Sequence, residues 1–469
     1  MSLIDSRGVP VSTRSHEALR HYEQAVELSA GYFLDPMAAI DSALVADPDF
    51  AMGHCFRAGL ILTATDHSLL PMLASSIEAV ESLGNRANAR ERAHVAAARK
   101  WLHGDFAGAV GAYGDILLDY PRDLFALQIA HVGDFFLGAS TMLRDRIAQV
   151  LPHWDASVPG YGFVQGMHAF GLEECGAYSQ AEDAGGRALE LNRRDPWAVH
   201  AVAHVMEMTG RVREGIEWLT SREQDWAPGN AFAVHNWWHL AIYHLDSGDT
   251  ARVLDLYDRR IREQNTMVPL EMIDASALLW RLHLRGVDVG TRWNALADSW
   301  APNSEKAYYA FNDVHAVMSF IGARQMDRAY RMLTSLEART LDFDTNGMMS
   351  RDVGLPVAQA LIAFGTERYD RVVDLLLPVR TIAARFGGSH AQRDLIHLTL
   401  VEAALRGGNT RLARALIAER TQLKPTSPFN WQLTARAMEL TGDDAGAAKA
   451  REKAELRRRA QVASLREVA

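Results

Sequence analysis

The sequence predicts an all-α fold: an α-solenoid of about ten tetratricopeptide-like helical hairpins forming one superhelix. Three observations predict it. Turn glycines recur at a near-constant spacing, apolar residues recur at helical period between them, and short Asp-Pro or Tyr-Pro links join one hairpin to the next. The chain has 469 residues, a length that ordinary globular packing would divide into about three domains. A repeat array grows by stacking instead, so residues 1–469 are read as a single superhelical domain, with 1–15 as an N-terminal extension and 425–469 as C-terminal capping helices.

The turns come first. Gly104 in "WLHGDFAGAVGAY", Gly138 in "FFLGAS", Gly176 in "LEECGAYSQAE", Gly210 in "MEMTGRVREG", Gly248 in "HLDSGDTARV" and Gly286 in "RLHLRGVDVG" lie 34 to 38 residues apart. Gly408 and Gly442 continue the series. This is the period of a tetratricopeptide hairpin, about 34 residues. Between turns, "AVGAYGDILLDY" and "WAVHAVAHVMEM" place apolar residues at i, i+3, i+4 and i+7, the pattern of a helix with one buried face. Asp47-Pro48, Tyr120-Pro121 and Asp195-Pro196 mark the links, because proline stops one helix and is tolerated in the first turn of the next. Residues 320–330 and 340–370 fit the period less well, and "LDFDTNGMMSRDVGLP" predicts an inserted loop. No strand pattern of useful length is present. The polar C-terminal segment, with "RRR" at 457–459, reads as a solvated capping helix of the kind a terminal repeat requires.

Composition narrows the function classes. Hydrophobic residues make up 48% and charged residues 23%, ordinary globular values that argue against global disorder. A formal net charge of -9 leaves no domain-sized basic surface, so nucleic acid is not expected as a partner. Cys55 and Cys175 are the two cysteines, too few for a disulfide framework or a cysteine-rich zinc site. The start lacks the apolar core of a signal peptide, and no run of 18 apolar residues suggests a membrane span. The expected compartment is the cytoplasm, with no membrane partner. Oligomeric state is left open.

Specific stretches go beyond the repeat pattern. "GVPVSTRSHEA", "DPDFAMGHCFRAGLIL", "DPWAVHAVAHVMEM", "HNWWHLAIYHLDSGD", "FNDVHAVMSFIGA", "SRDVGLPVAQAL", "GGSHAQRDL" and "LKPTSPFNWQL" resemble the tetratricopeptide repeat protein 38 family over essentially the full chain. The resemblance implies a helical-repeat fold. It implies no particular reaction.

The histidines supply the candidate site. The first helix of each hairpin lines the concave face, with inward positions about 13, 10, 6, 3 and 2 residues before the turn glycine. His200, His204 and Glu207 occupy such positions before Gly210. At 100° per residue they fall within about 60° of arc. His235, Trp238 and Asp246 do the same before Gly248, and His239 shares their face. Adjacent inner helices stack about 8–10 Å apart, so the two sets are expected to meet. Three readings remain open. Histidines one turn apart with a carboxylate suit a divalent metal, although no HExxH motif is present. Neutral imidazoles also suit a metal-free ligand or catalytic pocket. The third reading is hydrogen-bonded packing.

Other residues join if the superhelix curls tightly enough: His131 and Asp134, Glu173, Asp313 and His315, Arg351, and Gln392 with Arg393. The expected function is binding of a small molecule or short peptide in a concave pocket lined by His, Trp and carboxylates. The alternative is a metal- or His-dependent hydrolase or lyase with His200, His204, Glu207, His235 and His239 at its centre. Whether the chain is an enzyme, and which cofactor it carries, does not follow from sequence.

Overall fold

The computed structural model describes residues 3–303 and 305–463. Antiparallel helix pairs succeed one another throughout. Among the described residues the only extended pairings are two isolated bridges, Ile4 with Pro10 and Phe33 with Asn230. Seven helices shape the interior: α1 (Leu124–Phe136), α2 (Tyr161–Glu174), α3 (Pro196–Met208), α4 (Ala233–Ser247), α5 (Pro269–Leu284), α6 (Ala310–Gly322) and α7 (His390–Arg406).

All eight turn glycines of the sequence pattern have positive φ, from 64° at Gly138 to 86° at Gly104. A left-handed residue closes the end of a helix with little steric cost only when it lacks a Cβ. At Gly138 a second reason applies, since an added Cβ would overlap the Ala384 carbonyl. The period faded near 320–370 because two turns there are made without glycine: Arg324 and Glu367 each hold φ 59°. The predicted loop is also mostly helix. Asp344 caps a helix over Thr345–Met349, accepting a hydrogen bond from the Gly347 amide. A π-helical turn at Ser350–Gly354 then leads into Leu355–Gly365. The extra residue of a π turn breaks the 3.6-residue apolar register on which the prediction relied.

Residues 3–15, within the N-terminal extension, pack onto the fold. Val9 and Val11 are buried, and the Ser12 amide donates to Glu91 at 2.8 Å. At the other end, helices Pro428–Glu439 and Asp444–Ala463 close the array. Arg458 and Arg459 pair with Glu455 on its exposed face. Residues 464–469 lie outside the described residues.

The superhelix winds far enough to dock on itself. The Thr345 amide donates to the Gly104 carbonyl at 3.2 Å. Tyr309 donates to the Phe136 carbonyl at 2.9 Å, and Thr426 to the Gly210 carbonyl at 3.2 Å. Lys424 reaches Glu207 at 3.1 Å. Residues 309–426 thus form a second superhelical course seated on the hairpin turns of the first, and the concave face becomes an interior.

A buried ion cluster holds the first course together. Asp123 caps α1 through the Ala126 amide at 3.0 Å. It also faces His94 at 2.8 Å and Arg90 at 3.5 Å, and all three side chains are excluded from solvent. Removing one partner of a buried ion pair strands the other charge, which costs about 3–5 kcal/mol. We expect Asp123→Asn to lower the melting temperature markedly, measured by circular dichroism, whereas Asp145→Asn at an exposed pair with Arg144 leaves it within about a degree.

A buried four-histidine candidate site

Helix α3 is started by Asp195, whose carboxylate accepts from the Trp197 and Ala198 amides, with Pro196 in the first turn. That start places His200 and His204 one turn apart on the inner face. Helix α4 does the same for His235 and His239. The four rings meet where the helices pack. Centroids are 4.4 Å apart for His200–His204 and His204–His239, and 4.9 Å for His200–His235, His200–His239 and His235–His239. One ring nitrogen from each lies within 4.8 Å of all the others. All four residues are at most 4% exposed.

Carboxylates stand behind three of the rings. Asp274 on α5 lies 2.8 Å from His235 Nδ1. Glu207 lies 3.3 Å from His239 Nδ1, and Glu173 on α2 lies 3.4 Å from His204 Nδ1. At His235 and His239 the carboxylate is within hydrogen-bond reach of Nδ1, which favours the proton there and leaves Nε2 as the lone pair. No hydrogen-bond partner among the described residues meets either nitrogen of His200 or of His204, or Nε2 of His239. The carboxylates are themselves held from outside. His390 at the start of α7 donates to Glu173 at 2.7 Å, and Lys424 donates to Glu207.

Electrostatics follow from this layering. Burial, then the neighbouring imidazoles, hold His200 well below its ordinary pKa. Burial and His204 push His239 down to about 3. Burial opposes ionisation of Glu207, but Lys424 and His239 outweigh it and hold its carboxyl well below the usual range. His200 and His239 are therefore held in the neutral form at the core of the site. Such a set can ligate a metal ion, accept a proton, or hydrogen-bond a polar group of a ligand.

His200 and His235 also form part of the wall of a cavity of about 520 Å³. The rest of that wall is mainly aromatic and aliphatic, including Tyr32, Phe135, Trp197, Phe232, Ile273 and Phe311. Trp197 lies 5.1 Å from His200, and Phe232 lies 5.0 Å from it. On the other side, His390 and Lys424 border a second cavity of about 540 Å³, lined by Arg380, Arg393, Asp394, Glu419 and Arg420. Its cations are matched by acids: Arg420 pairs with Asp394 and Arg380 with Glu419.

The predicted residues divide accordingly. His200, His204, Glu207, His235, His239 and Glu173 come together. Trp238 stacks on His235 at 5.4 Å and is fully buried behind it. Asp246 accepts from Ser427 at 2.5 Å and stands apart from the rings. His131 lies one ring away, beside Trp197 at 5.8 Å. Asp134 faces Arg146 through bonds of 2.6 and 3.0 Å instead. Asp313 and His315 do not reach the cluster. Burial pushes the Asp313 carboxyl well up, and His315 Nδ1 meets the Phe311 carbonyl of its own helix at 2.7 Å. Gln392 makes a capping box with Ser389 and lines the aromatic cavity. Arg393 bonds the Gly388 carbonyl and lies 3.8 Å from Glu174. Arg351 is exposed and donates to the Thr340 carbonyl at 3.0 Å; the π turn rotates it away from the interior.

Asp274, His390 and Lys424 were not singled out from sequence. Asp274 interrupts the apolar run "EMIDASALL", a signal that an inward polar residue is present. The other two act across 217 residues of chain, a separation that helical periodicity does not register.

No protein-family model matches the chain. Among solved structures, it is similar to a human IFIT1 dimer with PPP-AAAA, at 11% identity over 94% of this chain and 95% of that one, with a TM-score of 0.42. It is also similar to yeast Tom70, at 12% identity over 96% of each chain and a TM-score of 0.32. The APC/C hetero-tetramer Cut9-Hcn1 is a third, at 11% identity over 94% and 96%, with a TM-score of 0.32. All three neighbours are tetratricopeptide-type solenoids, and this chain is an all-helical solenoid of that type. The likeness is to the repeat class and not to the tetratricopeptide repeat protein 38 family in particular. One expectation is corrected. Net charge does not by itself exclude nucleic acid as a partner; the IFIT1 structures carry PPP-AAAA and m7Gppp-AAAA. Net charge averages the whole surface, whereas a concave interior sets its own potential. Among the described residues no helix is long and apolar enough to cross a membrane.

The outer shell of the site is open to a pH test. Burial opposes a charge on His390, but Glu174 and Glu173 outweigh it and push its pKa up to about 9, from an ordinary 6.5. The folded chain therefore holds this proton more tightly than the unfolded one. The stabilisation is complete below pH 6.5 and is lost as pH rises through 9. It is on the order of 2 kcal/mol for a ring partly open to solvent. We expect the melting temperature to fall across pH 6.5–9 and His390→Gln to flatten that limb in scanning fluorimetry. An equally steep limb in the variant would place the titrating group elsewhere.

Proposed function

We propose that this protein binds a small, largely apolar molecule inside its superhelix, in the aromatic cavity walled by His200 and His235. The observation that carries the reading is the cavity itself. Its volume of about 520 Å³ falls in the range of small-molecule sites, which are typically apolar with a few placed polar groups. Gln128, Asn312 and the two histidines are such groups here. Leu34, Met267 and Val268 also line it and are 64%, 51% and 50% exposed. Exposed apolar side chains grouped at a cavity are a surface that apolar ligands seek. A long peptide is disfavoured, because the second superhelical course occupies the groove that a peptide would need.

A second reading is an enzyme, a hydrolase or lyase, at the same wall. It is favoured by the unclaimed nitrogens of His200, which give a neutral base beside the cavity.

Val132 on α1 also lines the cavity, and Val132→Trp would fill it without touching the histidines. With a neutral naphthalene dye as fluorescent probe, wild type is expected to bind saturably and the variant at least about tenfold more weakly, a loss of about 1.4 kcal/mol, with an unchanged melting temperature. Equal binding by both proteins, or none by wild type, would sink the cavity reading.

A further inference from the structure

The cavity leaves the deeper part of the site unexplained. Four imidazoles are packed together, and five of their nitrogen positions (both of His200, both of His204 and Nε2 of His239) meet no hydrogen-bond partner among the described residues. A buried polar atom without a partner costs about 1–3 kcal/mol, and such atoms are few in native proteins. Clustering several at one point multiplies that cost, unless something at the point accepts all the lone pairs.

We propose that His200, His204, His235 and His239 ligate one divalent first-row transition-metal ion, with Glu173, Glu207 and Asp274 as the surrounding carboxylates. Three features carry it. The donor count and type are right, since imidazole nitrogen suits zinc, iron, copper and nickel. The geometry is close: one nitrogen of each ring lies within 4.8 Å of the other three, and a tetrahedral ion with bonds of about 2.1 Å sets its ligand nitrogens about 3.4 Å apart. Metal binding would draw the rings inward by that difference. The third feature is the carboxylates at Nδ1 of His204, His235 and His239. This carboxylate–histidine pairing orients a ligand and raises its basicity, and packing alone has no need of it at three rings out of four.

The ion would lie beside the aromatic cavity, because His200 and His235 belong to both. The inference does not rest on the cavity's ligand, since the metal is bound by side chains alone. A molecule in the cavity would meet the metal centre from the His200–His235 side. The second group of acids and histidine, Glu173, Glu174, His204 and His390, shares His204 with this site. Its residues are already joined by hydrogen bonds and ion pairs, so it serves as the outer shell.

The test uses untagged full-length protein grown with added zinc, iron and manganese. Elemental analysis should find close to one equivalent of one of these metals. After chelation, Co²⁺ should restore one equivalent and give visible absorption characteristic of nitrogen coordination. It should also quench tryptophan fluorescence, because Trp197 lies 5.1 Å from His200 and Trp238 lies 4.9 Å from His239. His200→Ala and His239→Ala should each lose the metal. Glu207→Gln leaves all four imidazoles in place and should bind Co²⁺ about 10–100-fold more weakly, which keeps the test decisive if a histidine variant fails to fold. Wild type that folds but takes up neither Zn²⁺ nor Co²⁺ would overturn the proposal. So would full metal content in both histidine variants. Val132→Trp should keep its metal, so failure of the cavity reading and failure of this one give different results.

Discussion

The closure of the superhelix on itself is the constraint on which the rest of the molecule depends. An open solenoid exposes its concave face to water, and histidines placed there are solvated and unremarkable in their chemistry. Here residues 309–426 seat on the turns of the first course, through contacts such as Thr345 on Gly104 and Thr426 on Gly210. Water is displaced from the groove. Burial is the first cause of the lowered pKa of His200 and of His239.

Closure also brings its own compensation. Burying Glu173 and Glu207 would be costly without partners. The same course that removes their water delivers His390 to one and Lys424 to the other. The anionic shell is thus paid for by the element that creates the need for it. Folding of the second course and assembly of the site are one event in physical terms. Loosening the Lys424 or His390 contacts changes the environment of the imidazoles even though neither residue touches the aromatic cavity's floor directly. The layering of imidazoles inside, carboxylates around them and cations outside leaves the cavity wall mainly aromatic and aliphatic.

The repeat was legible because its turns obey a local rule. Eight glycines at left-handed positions, separated by amphipathic stretches, specify hairpins without reference to anything distant. The rule fails where Arg324 and Glu367 make the same turn and where the π turn at Ser350–Gly354 shifts the register. There tertiary packing holds a conformation that local preference does not favour. The histidines were legible for a similar reason: 200, 204, 235 and 239 share one inner face by counting residues from Gly210 and Gly248. Asp134 and Arg351 were misjudged as members of a converging set because helical phase gives a direction but not a partner. Asp134 finds Arg146 twelve residues on, and Arg351 turns outward.

By itself, then, the sequence determined the helical hairpins, their handed turns and the meeting of two inner faces, all of which depend on spacings within about 40 residues. Only the tertiary structure decided that the groove closes, that Asp274, His390 and Lys424 complete the shell, and that an aromatic cavity opens against His200 and His235. Those features depend on the small rotation between successive hairpins. Summed over the array, that rotation brings residues more than 200 positions apart into contact, and no short-range pattern encodes it.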